Sequence, residues 1–118
     1  MTYVDGFVLP VPTKNLAAYR AMARKAGRVW KEHGALLYME CAGDDLKVPM
    51  GLSFPKLAKP KKGETVVFSF IVYKSKASRN AVLKKVMQDK RITATMTQKM
   101  PFDMTRMSYG GFKVMVDL

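Results

Sequence analysis

Two carboxylates, Asp5 and Glu40, fall in stretches that read as buried strands, and Tyr38, Tyr109 and Lys113 lie in strands of the same kind. A carboxylate removed from water has a raised pKa and can abstract a proton, while a tyrosine hydroxyl or a lysine can steady the anion that results. Asp5, Tyr38, Glu40, Tyr109 and Lys113 are therefore the candidate ligand-binding residues. The plainer alternative is that they neutralise one another across an interface. His33, the only histidine, falls where a helix should end, and there it would hydrogen-bond or charge the terminus. One histidine and one cysteine with no spaced ligand pair fall short of a metal site, and no cofactor is implied. Cys41 reads as a small buried hydrophobe on the helix side of its strand, because nothing near it in sequence would depress its pKa. No Gly-x-Ser-x-Gly, Walker or Gly-x-Gly-x-x-Gly pattern occurs, so no residue is assigned as catalytic and the chain is classed neither as enzyme nor as non-enzyme.

The elements that must hold these side chains are organised by Thr65 to Tyr73, a run of β-branched and aromatic residues that reads as a strand buried on both faces. Before it come a strand over Tyr3 to Val11, closed by Pro10 and Pro12, a helix from Lys14 to about His33 with Thr13 as N-cap and Gly34 as stop, and a strand over Leu36 to Gly43. Leu16, Tyr19, Ala23, Ala26 and Trp30 form the apolar stripe of that helix. Asp44 to Glu64 is a long Pro- and Gly-punctuated connection, of which Leu52 to Ala58 is expected to pack on a neighbouring subunit or over a pocket. After the central strand, Ser75 caps a helix from Lys76 to about Gln88, a short helix follows around Arg91 to Thr95, and Met107 to Asp117 is a last strand broken at Gly110-Gly111. The order is β-α-β-β-α-β, the α+β ferredoxin-like motif: one antiparallel sheet with two helices on one face, in a single domain over residues 1–118.

The formal charge of +12 is the unusual total. A field of that size attracts phosphate backbones or acidic ligands, although the basic residues are spread from Lys14 to Lys113 without a run longer than two, as on a solvated surface. No apolar run is long enough to span a bilayer, the start lacks the pattern of a signal peptide, and the lone cysteine fits a reducing cytoplasm, so a cytoplasmic protein without membrane contact is expected.

Strand parity leaves one face to be covered. With Val4, Gly6, Val8, Leu37, Met39, Cys41, Phe68, Phe70, Val72, Phe112, Val114 and Val116 assigned to the helices, the other face carries Tyr3, Asp5, Phe7, Leu9, Tyr38, Glu40, Val67, Ser69, Ile71, Tyr73, Tyr109, Lys113 and Met115. That mixture is too apolar to stand in water, and a second copy is its simplest cover. The expected result is a homodimeric α/β barrel with an inter-sheet cavity, in which Asp5 and Lys113 could pair and a small anionic or aromatic molecule could bind or be turned over.

Tyr3-Val4-Asp5-Gly6-Phe7-Val8, Leu16-Ala17-Ala18-Tyr19, Trp30-Lys31-Glu32-His33-Gly34-Ala35, Ser53-Phe54-Pro55, Phe68 to Ser75, and Met100-Pro101-Phe102-Asp103 with Arg106 to Lys113 together resemble the YbaA-like family of small bacterial proteins. The resemblance spans essentially the whole chain and implies a dimeric α/β-barrel assembly, with no activity to carry over. RNA binding through the basic surface is the alternative from another class, since Phe68-Ser69-Phe70-Ile71-Val72-Tyr73 matches part of the third-strand signature of the RNA-recognition motif. Ser69 replaces the usual Gly or Ala, and Val66-Val67 the expected basic residue and glycine, so a nucleic-acid partner is not expected.

Overall fold

The computed structural model describes residues 1–118, in the order β1 (Tyr3–Pro12), α1 (Leu16–Glu32), β2 (Leu37–Ala42), α2 (Phe54–Ala58), β3 (Glu64–Tyr73), α3 (Lys76–Gln88), α4 (Lys90–Met96) and β4 (Ser108–Lys113). The strands form one antiparallel sheet in the order β2-β3-β1-β4, which is the ferredoxin-like arrangement. Pro10 and Pro12 do not end β1. β4 pairs with β1 only as far as Val8, so both prolines lie where β1 has no neighbour on its β4 side and no ladder donor is lost. Thr13 does not cap α1; residues Thr13–Asn15 form a 3-10 turn, and the Asn15 side-chain amide donates instead to the Pro101 carbonyl at 2.9 Å. Ser75 does cap α3, accepting from the Ser78 amide at 3.0 Å, and Asp89 caps α4, accepting from the Arg91 amide at 2.9 Å.

The helices lie on the opposite face of the sheet from the one that parity alone assigned. Leu9, Val11 and Val67 pack with Tyr19 and Ala23 of α1, while Ile71 and Tyr73 pack with Val29, Val82, Val86 and Ile92. The reason is polar satisfaction. Tyr3, Asp5, Tyr38, Glu40 and Tyr73 carry groups that cannot be buried unpaired, and the helices bring their partners. Trp30 Nε1 donates to the Tyr73 hydroxyl at 3.2 Å, and Arg79 of α3 donates to the Tyr3 hydroxyl at 3.1 Å. Gly27 belongs to the same fit, because a Cβ there would come within 2.6 Å of the Tyr38 ring and push α1 off the sheet.

The face without helices is then built from three register rows: Leu37, Val72, Val4 and Phe112; Met39, Phe70, Gly6 and Gly110; Cys41, Phe68, Val8 and Ser108. Cys41 is thus on the open face and not under the helices. Nor is β3 buried on both sides within one chain, since Phe68 is 42% exposed. Of the long connection, α2 leans on one end of this face, with the Phe54 ring 6.2 Å from that of Phe68.

The approach to β4 is tied to the long connection by charge. Arg106 donates to both carboxylate oxygens of Glu64, at 2.8 and 2.9 Å, and to the Lys59 carbonyl at 3.1 Å. The guanidinium, with the Lys61 amide, holds the Glu64 carboxyl down to about 2 from an ordinary value of 4.5. A depressed carboxyl stabilises the fold above its ordinary pKa, and the effect is lost as pH falls through the folded value. Arg106→Ala should therefore lower the urea midpoint near neutrality, and the gap from the parent protein should close as pH falls from about 4.5 to about 2. A gap that stays constant across that range would remove the ion pair as its cause.

Candidate functional site

Glu40 projects from β2 beneath α1, and its neighbours are fixed by the two elements it lies between. Residue 38 precedes it by one strand repeat and so shares its face, while α1 lowers Tyr19 from above. The Tyr19 hydroxyl donates to Glu40 Oε1 at 2.7 Å and the Tyr38 hydroxyl to Oε2 at 2.8 Å. Burial pushes both hydroxyls well above the ordinary tyrosine value, and the Glu40 charge and its hydrogen bonds push them further the same way. Both tyrosines stay protonated. Each carboxylate oxygen keeps a second lone pair free to accept from an incoming donor.

Two cavities meet at this trio. The inner one, about 180 Å³, lies under α1 among Phe7, Leu9, Met22, Ala26, Trp30, Ile71, Phe102 and Met107, with Ser69 and Glu40 as its polar members. The outer one, about 390 Å³, opens between α1 and β2 and is lined by Leu16, Arg20, Ala23, Arg24, Cys41, Ala42 and Val67. Tyr19, Tyr38 and Glu40 line both and stand between them.

The remaining candidates do not join this site. Asp5 lies on the same side of the sheet, but its partner is Arg79, with Nε 3.5 Å from Oδ1, and not Lys113. The Arg79 guanidinium also covers the Tyr3 ring at 4.9 Å, and Tyr73, raised first by burial and next by the Asp5 charge, completes that cluster. Tyr109 stacks on Phe7 with centroids 5.9 Å apart and is 72% exposed. Lys113 is exposed opposite Tyr3 at the end of the sheet. His33 Nε2 lies 2.8 Å from Asp89 Oδ2, so its ring ties the end of α1 to the N-cap of α4 instead of bonding the terminus of its own helix. Tyr38 and Glu40, expected to face a second sheet, line cavities between sheet and helix. Tyr19 and Arg79 were the partners that sequence did not disclose. Tyr19 falls in the apolar stripe of α1 by spacing, and its hydroxyl, which must be satisfied when buried, is the signal that sets it apart.

Residues 2–104 match the family described as "Protein of unknown function (DUF1428)". The chain belongs to this family. Within the wider likeness, "Uncharacterized protein YbaA" of Escherichia coli K12 is 44% identical over 117 residues, covering 99% of both chains. The fold is shared with a dimeric ferredoxin-like protein from an uncultured marine organism, at a TM-score of 0.60 and 12% identity over 99% of this chain and 98% of that one. It is also shared with SnoaB, a cofactor-independent oxygenase from Streptomyces nogalater, at 0.53 and 14% identity over 99% and 94%. No helix is long and apolar enough to cross a membrane.

The trio can be read by alkaline titration. Near-ultraviolet absorbance should show Tyr19, Tyr38 and Tyr73 still protonated at about pH 11, where a free phenol is mostly ionised. Stability linked to them is present below about pH 10 and is lost as pH rises toward their folded values. In Glu40→Gln, Tyr19 and Tyr38 should ionise earlier yet remain above a free phenol, because burial is the larger cause. Ionisation of all the tyrosines together near pH 10, before any unfolding, would mean that the trio is open to water.

Proposed function

We propose that this protein is a cytoplasmic homodimer, joined through the open faces of its sheets, in which each subunit binds one small and mainly apolar molecule against Glu40. The observation that carries the binding half is a carboxylate held by two hydroxyls at the boundary of two cavities whose other walls are mostly apolar. Such a site suits a ligand with an aromatic body and a hydrogen-bond donor. An anionic group placed against Glu40 itself would meet a like charge, so the end of the ligand that reaches the carboxylate is neutral. Of the five candidate residues, Tyr38 and Glu40 are given this role; Asp5 with Arg79 supports the fold beside them. The oxygenase neighbour shares the fold at 14% identity, and its activity is its own.

The dimer rests on the open face. Its three rows contain no charged residue, while the subunit as a whole carries +12, so this face is where a second copy meets least repulsion. A solved neighbour is described as dimeric, which supports self-association. Phe68 and Phe70 do face the open side, as base stacking would require, but no lysine or arginine shares the rows to hold a phosphate backbone. Burial against a second copy is the better use of them.

In sedimentation, the parent should run as a dimer and Phe68→Glu as a folded single subunit, with circular dichroism unchanged. A parent that stays single at high concentration would end the dimer proposal. For binding, p-cresol should shift the methyl resonances of Met22 and Met107, which line the inner cavity, and Ala26→Phe, which fills that space, should abolish the shifts. Shifts that survive in Ala26→Phe, or none in the parent, would place no ligand there.

A further inference from the structure

The outer cavity has a charge pattern that the inner one lacks. Arg20 and Arg24 line it beside Glu40, and these three are its only charged residues. The two arginines are four residues apart on α1, so they sit on the same edge of the helix, roughly 6 Å apart along its axis. Neither forms an ion pair within the chain; Glu32 of the same helix is paired with Arg91 at 2.7 Å, and Glu40 accepts from its two tyrosines. Arg28 extends the row along the groove between α1 and β2. The open face of the sheet is on the other side of the molecule, so pairing of subunits leaves this mouth accessible.

We infer that Arg20 and Arg24 form an anion clamp at the mouth of the Glu40 cavity, and that the ligand is an aromatic acid. This rests on the binding reading above and adds the class of ligand to it. The neutral, donor-bearing ring enters as far as Glu40, and the carboxylate or other anionic group stays at the mouth, where two guanidiniums present planar donors to it. The two requirements do not conflict, because the like charge of Glu40 repels only the end that would touch it. A one-ring spacer separates the ends. The clamp also accounts for arginine at both positions, since a solvated helix edge is served equally well by lysine, and lysine lacks the paired donors that match a carboxylate.

The test uses three probes that differ in one group each: 4-hydroxyphenylacetate, its neutral amide, and 4-methylphenylacetate, which keeps the acid but lacks the donor. Titrations of the full chain are followed by the methyl resonances of Leu16 and Val67, which line the outer cavity. In the parent, the acid should bind about three- to tenfold more tightly than the amide, a preference expected of partly exposed arginine pairs and one that shrinks as salt is added. The double variant Arg20→Gln, Arg24→Gln should bind acid and amide equally while its affinity for the amide stays that of the parent. Equal binding of acid and amide in the parent, with both seen in the cavity, would overturn the clamp and leave the binding reading standing. Failure of all three probes to bind would overturn both. Loss of the amide together with the acid in the double variant would show that the arginines support the fold of α1, against the clamp. If 4-methylphenylacetate binds as tightly as the hydroxy acid, the clamp stands and Glu40 is not what the ring meets.

Discussion

The constraint on which this structure depends is that a polar side chain taken out of water must find a partner. β1, β2 and β3 each carry a polar face and a face that is apolar through the three open rows. Only the helices can supply donors and acceptors to the polar one, through Tyr19, Trp30 and Arg79. Which side of the sheet the helices cover follows from that requirement more than from apolar bulk. Four of the five tyrosines are central to it, since each of these buries a ring and presents a hydroxyl that is met: Tyr3 by Arg79, Tyr19 and Tyr38 by Glu40, Tyr73 by Trp30.

With its charged groups under the helices, the sheet is left with an uncovered face whose three rows hold no charge and a single hydroxyl, at Ser108. That face can be buried against its twin without desolvating a charge, and contact between two strongly basic subunits is otherwise opposed by their repulsion. The cations are placed accordingly. Arg20, Arg24 and Arg28 lie on the helix side, and α3 and α4 keep theirs in solvent or in local pairs such as Arg91 with Asp89 and Glu32.

The elements and their order were legible in the sequence because their signals are local. Ser75 before Lys76, the β-branched run at Thr65 to Tyr73, and the apolar spacing of α1 each announce one element, and α3 has the bounds that its pattern predicts. The facing of the sheet was not legible from the same signals. Alternation says which residues share a side but not which side is covered, and the bulk of Phe68, Phe70 and Phe112 favoured placing them under the helices. What decides the matter is the pairing of residues far apart in sequence, Arg79 with Tyr3 and Tyr19 with Glu40, and no spacing rule predicts such pairs. The site was half legible for the same reason: Tyr38 and Glu40 are one strand repeat apart and share a face by spacing alone, whereas Tyr19 comes from another element. Asp5 and Lys113 do lie on adjacent strands, but Arg79 reaches Asp5 from above and takes the place that Lys113 was expected to fill.

The reversal of faces changes what assembly can do for the site. Had the polar groups stood between two sheets, the pocket would exist only in the dimer, and its residues would come from both copies. With Glu40 beneath α1, every wall of both cavities belongs to one chain. Pairing can then act on the site only through the sheet itself, by holding β2 and β3 in register under Tyr38 and Glu40. β2 is an edge strand bonded only to β3, so its position is the less constrained of the two. Met39 and Cys41 alternate along it with Tyr38 and Glu40, pointing to the open face. Contacts that a second copy makes with those two side chains would steady the strand that carries the carboxylate, which ties assembly to the site without lending it a residue.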